Sequence, residues 1–252
     1  MLENKFRFLL ESTCRLQLFT NEAYYYETEL FAKFEDAFLH ETGAKGSGIA
    51  VVHGQRSVVK SLSTDKICEL GDVRMIIYQP STIKMRQIYI QFKRQDETII
   101  IPGTRIVKIS EKQYDLYKTH PEVRATRKGV YIDSKVLQDN TGRVMEDAGT
   151  MFCAIYKDGK NTCLAFSNCN GMLLTKTYSR KNYVLWEIDS MFHTIMNKGG
   201  SYAYYESLGS FKDFLNGIKE MNIGMEVEYI PIIDIPAYII PTIYINVDEL
   251  TD

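Results

Sequence analysis

Three polar residues near the ends of two apolar runs have the chemistry needed to hydrolyse a phosphodiester. Asp72 immediately precedes the run at 73–79, and Gln91 and Lys93 lie at the end of the run at 86–93. A carboxylate and an amide oxygen are hard ligands that suit Mg²⁺. A nearby lysine can orient and help deprotonate a metal-bound water, and it can stabilise negative charge building on a phosphate.

Strand pairing is what would bring these three residues together. Both runs have the residue types and the length of strands, and Pro80-Ser81-Thr82 between them predicts a turn. In the second run, Gln91 and Lys93 point to one side of the strand, and the apolar side chains point to the other. If the two runs pair as an antiparallel hairpin, Asp72 lies opposite the strand end that carries Gln91 and Lys93.

The spacing from Asp72 through eighteen residues to Gln91-Phe92-Lys93 resembles the signature of the PD-(D/E)xK nuclease superfamily, the restriction-endonuclease-like fold. The helix predicted over 22–41 is similar to the family's upstream helix, with Glu35 just after an aromatic residue. The resemblance covers residues 25–135. It implies a core of a helix, three antiparallel strands, a second helix and a further strand. It also implies Mg²⁺ held by Asp72, Gln91 and Glu35, with Lys93 acting on the attacking water.

Two positions depart from that family's pattern. Gly71 stands where a proline usually precedes the aspartate, and Gln91 replaces an acidic residue. A neutral amide oxygen binds Mg²⁺ more weakly than a carboxylate does, so Glu35 would have to supply the second charge. The same residues also fit ordinary surface roles, as a turn aspartate and a solvated strand face. Glu69 is a competing ligand.

Charge is unevenly distributed along a chain that is almost neutral as a whole. The 252 residues include 30 Lys+Arg and 32 Asp+Glu, but residues 86–135 hold eleven basic and six acidic side chains. A basic segment favours a polyanionic partner, because only the local field matters at contact range. With double-stranded DNA as that partner, the candidate phosphate contacts are Arg94, Lys108, Arg124, Arg127 and Lys128.

The pattern of elements predicts an α/β class (α+β mixed) with a central mixed sheet flanked by helices. The composition is that of a packed protein, with 45% hydrophobic and 25% charged residues, and no Gly/Ser/Pro-rich linker divides the chain. We therefore expect a single domain over 1–252. Residues 22–135 would form the nuclease-like core, and residues 136–252 would supply DNA recognition and the contacts of a homodimer.

Local patterns predict the remaining elements. A helix is predicted for Ser110 to His120, and apolar spacing predicts another for Val184 to Asn197. Residues 151–156 and 162–166 flank a strong turn signal and predict a hairpin. A further helix is expected to begin near Ser210, and the chain closes in strands that prolines interrupt.

Several chemistries and locations can be set aside. The chain has no complete P-loop, no GxGxxG after a strand, no GxSxG elbow and no HExxH or Cys/His zinc pattern. The apolar stretch from Tyr229 to Val247 is broken by three prolines and an aspartate, so no membrane span is expected. Five irregularly spaced cysteines and a charged N-terminal segment indicate reduced thiols and a cytoplasmic protein.

The leading prediction is a Mg²⁺-dependent DNA endonuclease that resembles a type II restriction enzyme. The resemblance implies products with a 5′-phosphate and a 3′-hydroxyl. One alternative is a non-enzymatic nucleic-acid-binding or assembly protein with a lapsed site, which Gln91 and the acidic stretch at 220–252 favour. The other is a small-molecule enzyme, which would show a deep apolar pocket remote from Asp72 and Lys93.

Overall fold

The computed structural model describes residues 57–138, 149–158, 161–174, 182–189, 214, 217–227, 240 and 242–249. The helix predicted over 22–41, which contains Glu35, and the start of the helix expected near Ser210 lie outside the described residues. The strands are β1 (Val58–Ser61), β2 (Ile67–Glu69), β3 (Val73–Gln79), β4 (Lys84–Arg94), β5 (Thr104–Ser110), β6 (Val123–Ala125), β7 (Thr150–Asp158), β8 (Asn161–Ser167), β9 (Leu173–Leu174), β10 (Tyr183–Asp189), β11 (Met225–Glu226) and β12 (Thr242–Asn246). The helical elements are α1 (Glu111–Thr119) and 3₁₀ turns at Pro80–Thr82 and Val247–Glu249.

The largest sheet in the described part of the chain is mixed. Its order is β12-β3-β4-β7-β8, and β11 also pairs with β4. The β3–β4 and β7–β8 pairs are antiparallel, whereas the β12–β3 and β4–β7 pairs are parallel. The expected class, a mixed α+β fold with a mixed sheet, is confirmed.

The β3–β4 hairpin forms because both strands place apolar residues on one side at every second position. Val73 pairs with Ile90 and Met75 with Ile88, and all four side chains are fully buried. They pack in one apolar cluster with Phe214 from a helical segment. Burying each such side chain is worth about 1.5–3 kcal/mol. The apolar face of the hairpin comprises Val73, Met75, Ile77, Ile88, Ile90 and Phe92.

Helix α1 confirms the helix predicted for its segment. It begins after Ser110, and it ends where His120 adopts the left-handed conformation (φ 42°), with its backbone N–H donating to the Leu116 carbonyl. Leu116 and Tyr117 join a second apolar cluster together with Tyr89 of β4. Helix α1 therefore covers the side of the β3–β4 hairpin opposite the apolar face.

The strand after Lys93 does not extend the hairpin into a three-stranded meander. Strand β5 pairs antiparallel with β10 over its whole length, in a sheet of order β5-β10-β9. An isolated bridge between Gln95 and Val107 connects the segment after β4 to β5. Strands β1, β2 and β6 form a sheet of order β2-β1-β6.

The helix predicted for 184–197 is wrong at its beginning, where the structure has the strand β10. Trp186 and Ile188 join the second apolar cluster, whereas Leu185 packs with Ile106 on the other side of the strand. Because both sides of β10 contact apolar residues, its sequence lacks the alternation of a half-buried strand and imitates the spacing of a helix. Residues 190–197 lie outside the described residues.

The hairpin predicted from residues 151–156 and 162–166 is confirmed. Strands β7 and β8 pair antiparallel in a register that runs from Phe152 with Ser167 to Asp158 with Asn161. Parallel pairing of β7 with β4 then places this hairpin beside the β3–β4 hairpin in the mixed sheet. None of the helices in the described part of the chain combines the length and the apolar character that crossing a bilayer requires.

Candidate functional site

The β3–β4 hairpin brings Asp72 into direct contact with Gln91. Val73 pairs with Ile90, which places Asp72 opposite Gln91 at the open end of the hairpin. The backbone N–H of Asp72 donates to the Ile90 carbonyl at 2.9 Å. Asp72 Oδ2 accepts from Gln91 Nε2 at 2.5 Å and from the backbone N–H of Phe92 at 2.7 Å. Strand pairing therefore fixes the position of the carboxylate.

The side of the hairpin opposite the apolar face is polar in sequence but largely buried in the structure. Gln91 and Tyr89 are 0% exposed, and Gln87 is 4% exposed. The alternative of a solvated strand face is therefore wrong for Gln91. The polar residues on this side, which we call the polar face, are Asp72, Arg74, Gln87, Tyr89, Gln91 and Lys93, and Ile76 lies among them.

Lys93 lies two positions after Gln91 on β4 and therefore on the same side of the sheet. It is half-buried and pairs in register with Ala154 of β7. Diagonal neighbours across two antiparallel strands are about 7–8 Å apart. The long side chain of Lys93 can therefore reach a ligand that it shares with Asp72. The hairpin thus brings the three predicted residues to one end of the polar face.

Gly71 leaves room for a tyrosine beside the aspartate. Tyr117 Oη donates to the Leu70 carbonyl at 2.8 Å. A Cβ on Gly71 would lie 2.9 Å from Tyr117 Oη. The proline of the family pattern would therefore press against Tyr117. Burial, with a smaller contribution from the charge of Asp72, raises the pKa of Tyr117 well above its usual value. The phenol consequently stays protonated and remains a donor.

Asp72 and Gln91 would present two oxygens to a divalent cation only if the Gln91 amide turned over from the orientation that it has in the structure. With Nε2 facing Asp72, the amide oxygen faces Gln113, whose Nε2 donates to it. Turning the amide over would place a carboxylate oxygen and an amide oxygen side by side, as Mg²⁺ prefers. Within the described residues, no group of three or more His, Cys, Asp or Glu is placed to hold a metal. Glu35 lies outside those residues, and Glu69 lies on β2 in another sheet.

Of the five basic residues predicted to contact DNA, three lie in strands of three different sheets and two lie outside the strands. Lys108 is in β5, where it forms an ion pair with Asp96, and Arg94 is half-buried at the end of β4. Arg124 is in β6, and Arg127 and Lys128 follow that strand. Three of the five residues are exposed and close in sequence, and these remain candidates for phosphate contacts. They are Arg124, Arg127 and Lys128.

Two buried polar residues near the site were missed by the sequence reasoning. Gln113 of α1, 4% exposed, donates through Nε2 to Gln91 Oε1. Its position three residues before Leu116, on the buried side of the helix, is the signal that could have identified it. Arg74, 2% exposed, donates through Nε and Nη2 to Gln87 Oε1 at 3.2 and 2.9 Å.

A cavity of about 410 Å³ lies at the C-terminal end of α1, and neither Asp72 nor Lys93 lines it. The lining residues are Leu62, Ser63, Thr119, His120, Pro121, Glu122 and Gln138. Most of these side chains are polar. The surface that they present to the cavity is nevertheless mainly apolar, and the cavity is open to solvent rather than deep.

No family model, curated protein or solved structure matches this chain. What the protein does must therefore be inferred from its own residues and their geometry.

Proposed function

We propose that this protein is a Mg²⁺-dependent DNA endonuclease of the restriction-endonuclease-like type, with its site at the open end of the β3–β4 hairpin. The observation that carries the proposal is the contact between Asp72 and Gln91, at 2.5 Å, with Lys93 two residues further along the same strand. A carboxylate, an amide and a lysine on one side of two paired strands are suited to phosphodiester hydrolysis.

Each residue has its own role in this proposal. Asp72 and Gln91, together with Glu35, would hold Mg²⁺, which when bound lowers the pKa of a coordinated water and polarises the phosphate. Lys93 orients the attacking water and stabilises the negative charge that builds on the phosphate. Phe92 contributes its backbone N–H, which holds the Asp72 carboxylate in place.

Double-stranded DNA is the proposed substrate because exposed basic residues follow one another at and after β6. Arg124 pairs in register with Lys60 of β1, and Arg127 and Lys128 come next along the chain. Lysine and arginine side chains bind backbone phosphates and release counterions, so binding should weaken as the salt concentration rises. Residues 136–252 would add sequence recognition and the contacts of a homodimer.

The test compares DNA cleavage by wild-type protein with cleavage by Lys93→Ala and Asp72→Asn. Each substitution should lower the cleavage rate by at least about a hundredfold, because it removes one positioned charge or ligand. Lys84→Ala is the matched control, since Lys84 is an exposed lysine at the opposite end of the same strand. Cleavage of a DNA duplex is measured with Mg²⁺ and with a chelator.

Both site variants should keep most of their affinity for DNA in a gel-shift assay, because one charge among many contributes modestly to binding. Lys84→Ala should cleave at the wild-type rate. If Lys93→Ala cleaves as fast as the wild-type protein, the site assignment is wrong, even if the protein proves to be a nuclease.

The orientation of Gln91 favours one alternative, a nucleic-acid-binding or assembly protein that does not cleave. With Nε2 donating to Asp72, the two side chains satisfy each other and do not present two oxygens to a cation. DNA binding in the gel shift, without cleavage in the presence of Mg²⁺ or Mn²⁺, would support this alternative.

A further inference from the structure

The amide of Gln91 is hydrogen-bonded at both of its ends. The side chain is 0% exposed. Its Nε2 donates to Asp72 Oδ2 at 2.5 Å, and its Oε1 accepts from Gln113 Nε2. Because a carboxylate only accepts, the bond to Asp72 selects one orientation of the Gln91 amide, with its nitrogen toward the carboxylate, and the Gln113 amide matches that orientation.

A divalent cation on Asp72 needs the opposite orientation. Gln91 would turn its oxygen to the cation and its nitrogen to Gln113. If Gln113 kept its present orientation, two amide N–H groups would face each other in a buried place and a hydrogen bond would be lost. If Gln113 turned over as well, its oxygen would accept from Gln91 Nε2. Gln113 is 4% exposed, so water has little room to replace either amide as a partner.

We propose that Gln113 is a positioning residue for the metal site. Its amide satisfies Gln91 in the orientation that bonds to Asp72, and the two amides turn over together when a divalent cation binds. This inference rests on the proposed nuclease function and adds how the site changes between its metal-free and metal-bound forms. Whether the side chain at position 113 can donate, accept or do both therefore biases the affinity for the cation, although this residue of α1 does not touch it.

Gln113→Glu tests this positioning role, because a carboxylate accepts hydrogen bonds and does not donate them. The introduced carboxylate can be satisfied by Gln91 Nε2, which leaves Gln91 Oε1 toward Asp72 in the orientation that a cation needs. Mn²⁺ should bind Gln113→Glu at least about tenfold more tightly than it binds the wild-type chain. The measurement is calorimetric titration with Mn²⁺ in the absence of DNA.

An added negative charge could attract Mn²⁺ without any turn of Gln91, so the same comparison is made in a Gln91→Leu background. Leucine has no amide to reorient, while the charge introduced at position 113 is the same. In that background the gain from Gln113→Glu should fall below about threefold. Equal gains in the two backgrounds, or no gain in the chain that retains Gln91, would overturn the proposal.

Gln113→Lys is the second variant, for the case that Gln113→Glu does not fold without metal. An ammonium group donates and cannot accept, so it keeps the bond to Gln91 Oε1 and opposes the turn. This variant should bind Mn²⁺ at least about tenfold more weakly than the wild-type chain, with a smaller change in the Gln91→Leu background. Unchanged Mn²⁺ affinity would overturn the proposal.

The outcomes separate the positioning role from the nuclease function. If the wild-type chain cleaves DNA with Mg²⁺ but Mn²⁺ affinity does not depend on position 113, the positioning role fails and the nuclease function stands. If Mn²⁺ affinity changes in both expected directions but no variant cleaves DNA, the positioning role stands and the nuclease function fails. If neither the wild-type chain nor a variant binds Mn²⁺, the positioning role is overturned.

Discussion

The two faces of the β3–β4 hairpin are both buried but are built from different chemistry. On the apolar face, Ile88 and Ile90 are 0% exposed and belong to an apolar cluster. On the polar face, Gln91 and Tyr89 are also 0% exposed, and Arg74 is 2% exposed. Residues of the two faces alternate along the same strands. The side chains named here are buried to the same degree on both faces and differ only in residue type.

This difference in residue type indicates which face has a role other than stabilising the fold. A buried polar group costs free energy unless it is hydrogen-bonded, and well-packed apolar residues in its place are often as stable or more so. On the polar face Asp72 bonds to Gln91, Gln91 to Gln113, and Arg74 to Gln87, whereas the buried Tyr89 hydroxyl has no hydrogen-bond partner among the described residues. This difference favours the proposal that binding and chemistry lie on the polar face, whereas the apolar face contributes to stability.

The largest expected loss of stability is on the apolar face, with Ile88→Ala. The substitution leaves a cavity in a fully buried cluster, so the free energy of unfolding should fall by about 2–5 kcal/mol. Ile88→Val is the matched control and should cost about 0.5–1.5 kcal/mol. Urea unfolding at neutral pH measures both. A loss from Ile88→Ala no larger than that from Ile88→Val would contradict the close packing of this face.

The buried imidazole of His120, beside the polar face, allows a second test, which is the pH dependence of stability. His120 is 1% exposed, and its Nε2 lies 2.8 Å from Thr150 Oγ1, while Thr150 pairs in register with Tyr89. Burial lowers the pKa of His120 from 6.5 to about 4. Its Nδ1 has no hydrogen-bond partner among the described residues. A proton added there would therefore create a buried charge without an acceptor.

The stability that neutral His120 contributes should depend on pH between 6.5 and about 4. In the unfolded chain the imidazole takes up its proton near pH 6.5, so the contribution is complete above that pH and is lost as the pH falls. The loss should reach about 2 kcal/mol at pH 5 and about 3 kcal/mol near pH 4.

His120→Asn should remove this part of the pH dependence. Asparagine also tolerates the left-handed conformation that position 120 requires, so the end of α1 is preserved. Between pH 7 and pH 5, the wild-type free energy of unfolding should fall by about 2 kcal/mol more than that of the variant. Parallel pH profiles for the two chains would show that the imidazole is not held neutral by burial.

Local signals explain which parts of the site could be predicted from the sequence. The strand types of β3 and β4 and the Pro80 turn between them place Asp72 opposite Gln91, and the structure has that register. The burial of Gln91 could not be predicted. Alternating Gln, Tyr, Gln and Lys side chains look the same in sequence whether that side of a strand faces water or a helix. How α1 packs against the sheet decides between the two.

Contacts between distant residues explain most of what the sequence reasoning missed. Gln113 bonds to Gln91 across 22 positions, and the bond depends on which side of α1 faces the sheet. Strand β10 was predicted as helix because its two sides pack against different clusters. In both cases the information lies in tertiary packing, which a window of neighbouring residues does not contain.

The smallest expected change in stability is at position 71, at the edge of the polar face. A Cβ on Gly71 would lie 2.9 Å from Tyr117 Oη, which donates to the Leu70 carbonyl at 2.8 Å. Gly71 also places Asp72 at the start of β3. If the tyrosine hydroxyl is what requires glycine here, then removing that hydroxyl should make a larger residue acceptable.

Gly71→Ala should lower the free energy of unfolding by about 1 kcal/mol, because the new methyl group displaces the Tyr117 hydroxyl from its acceptor. Tyr117→Phe should cost about 0.5–1.5 kcal/mol through loss of the same hydrogen bond. In the double variant no hydroxyl meets the methyl group, so its loss should be at least about 0.5 kcal/mol smaller than the sum of the two single losses. Urea unfolding of the four chains measures this coupling. If the losses simply add, Tyr117 is not the residue that excludes larger side chains from position 71.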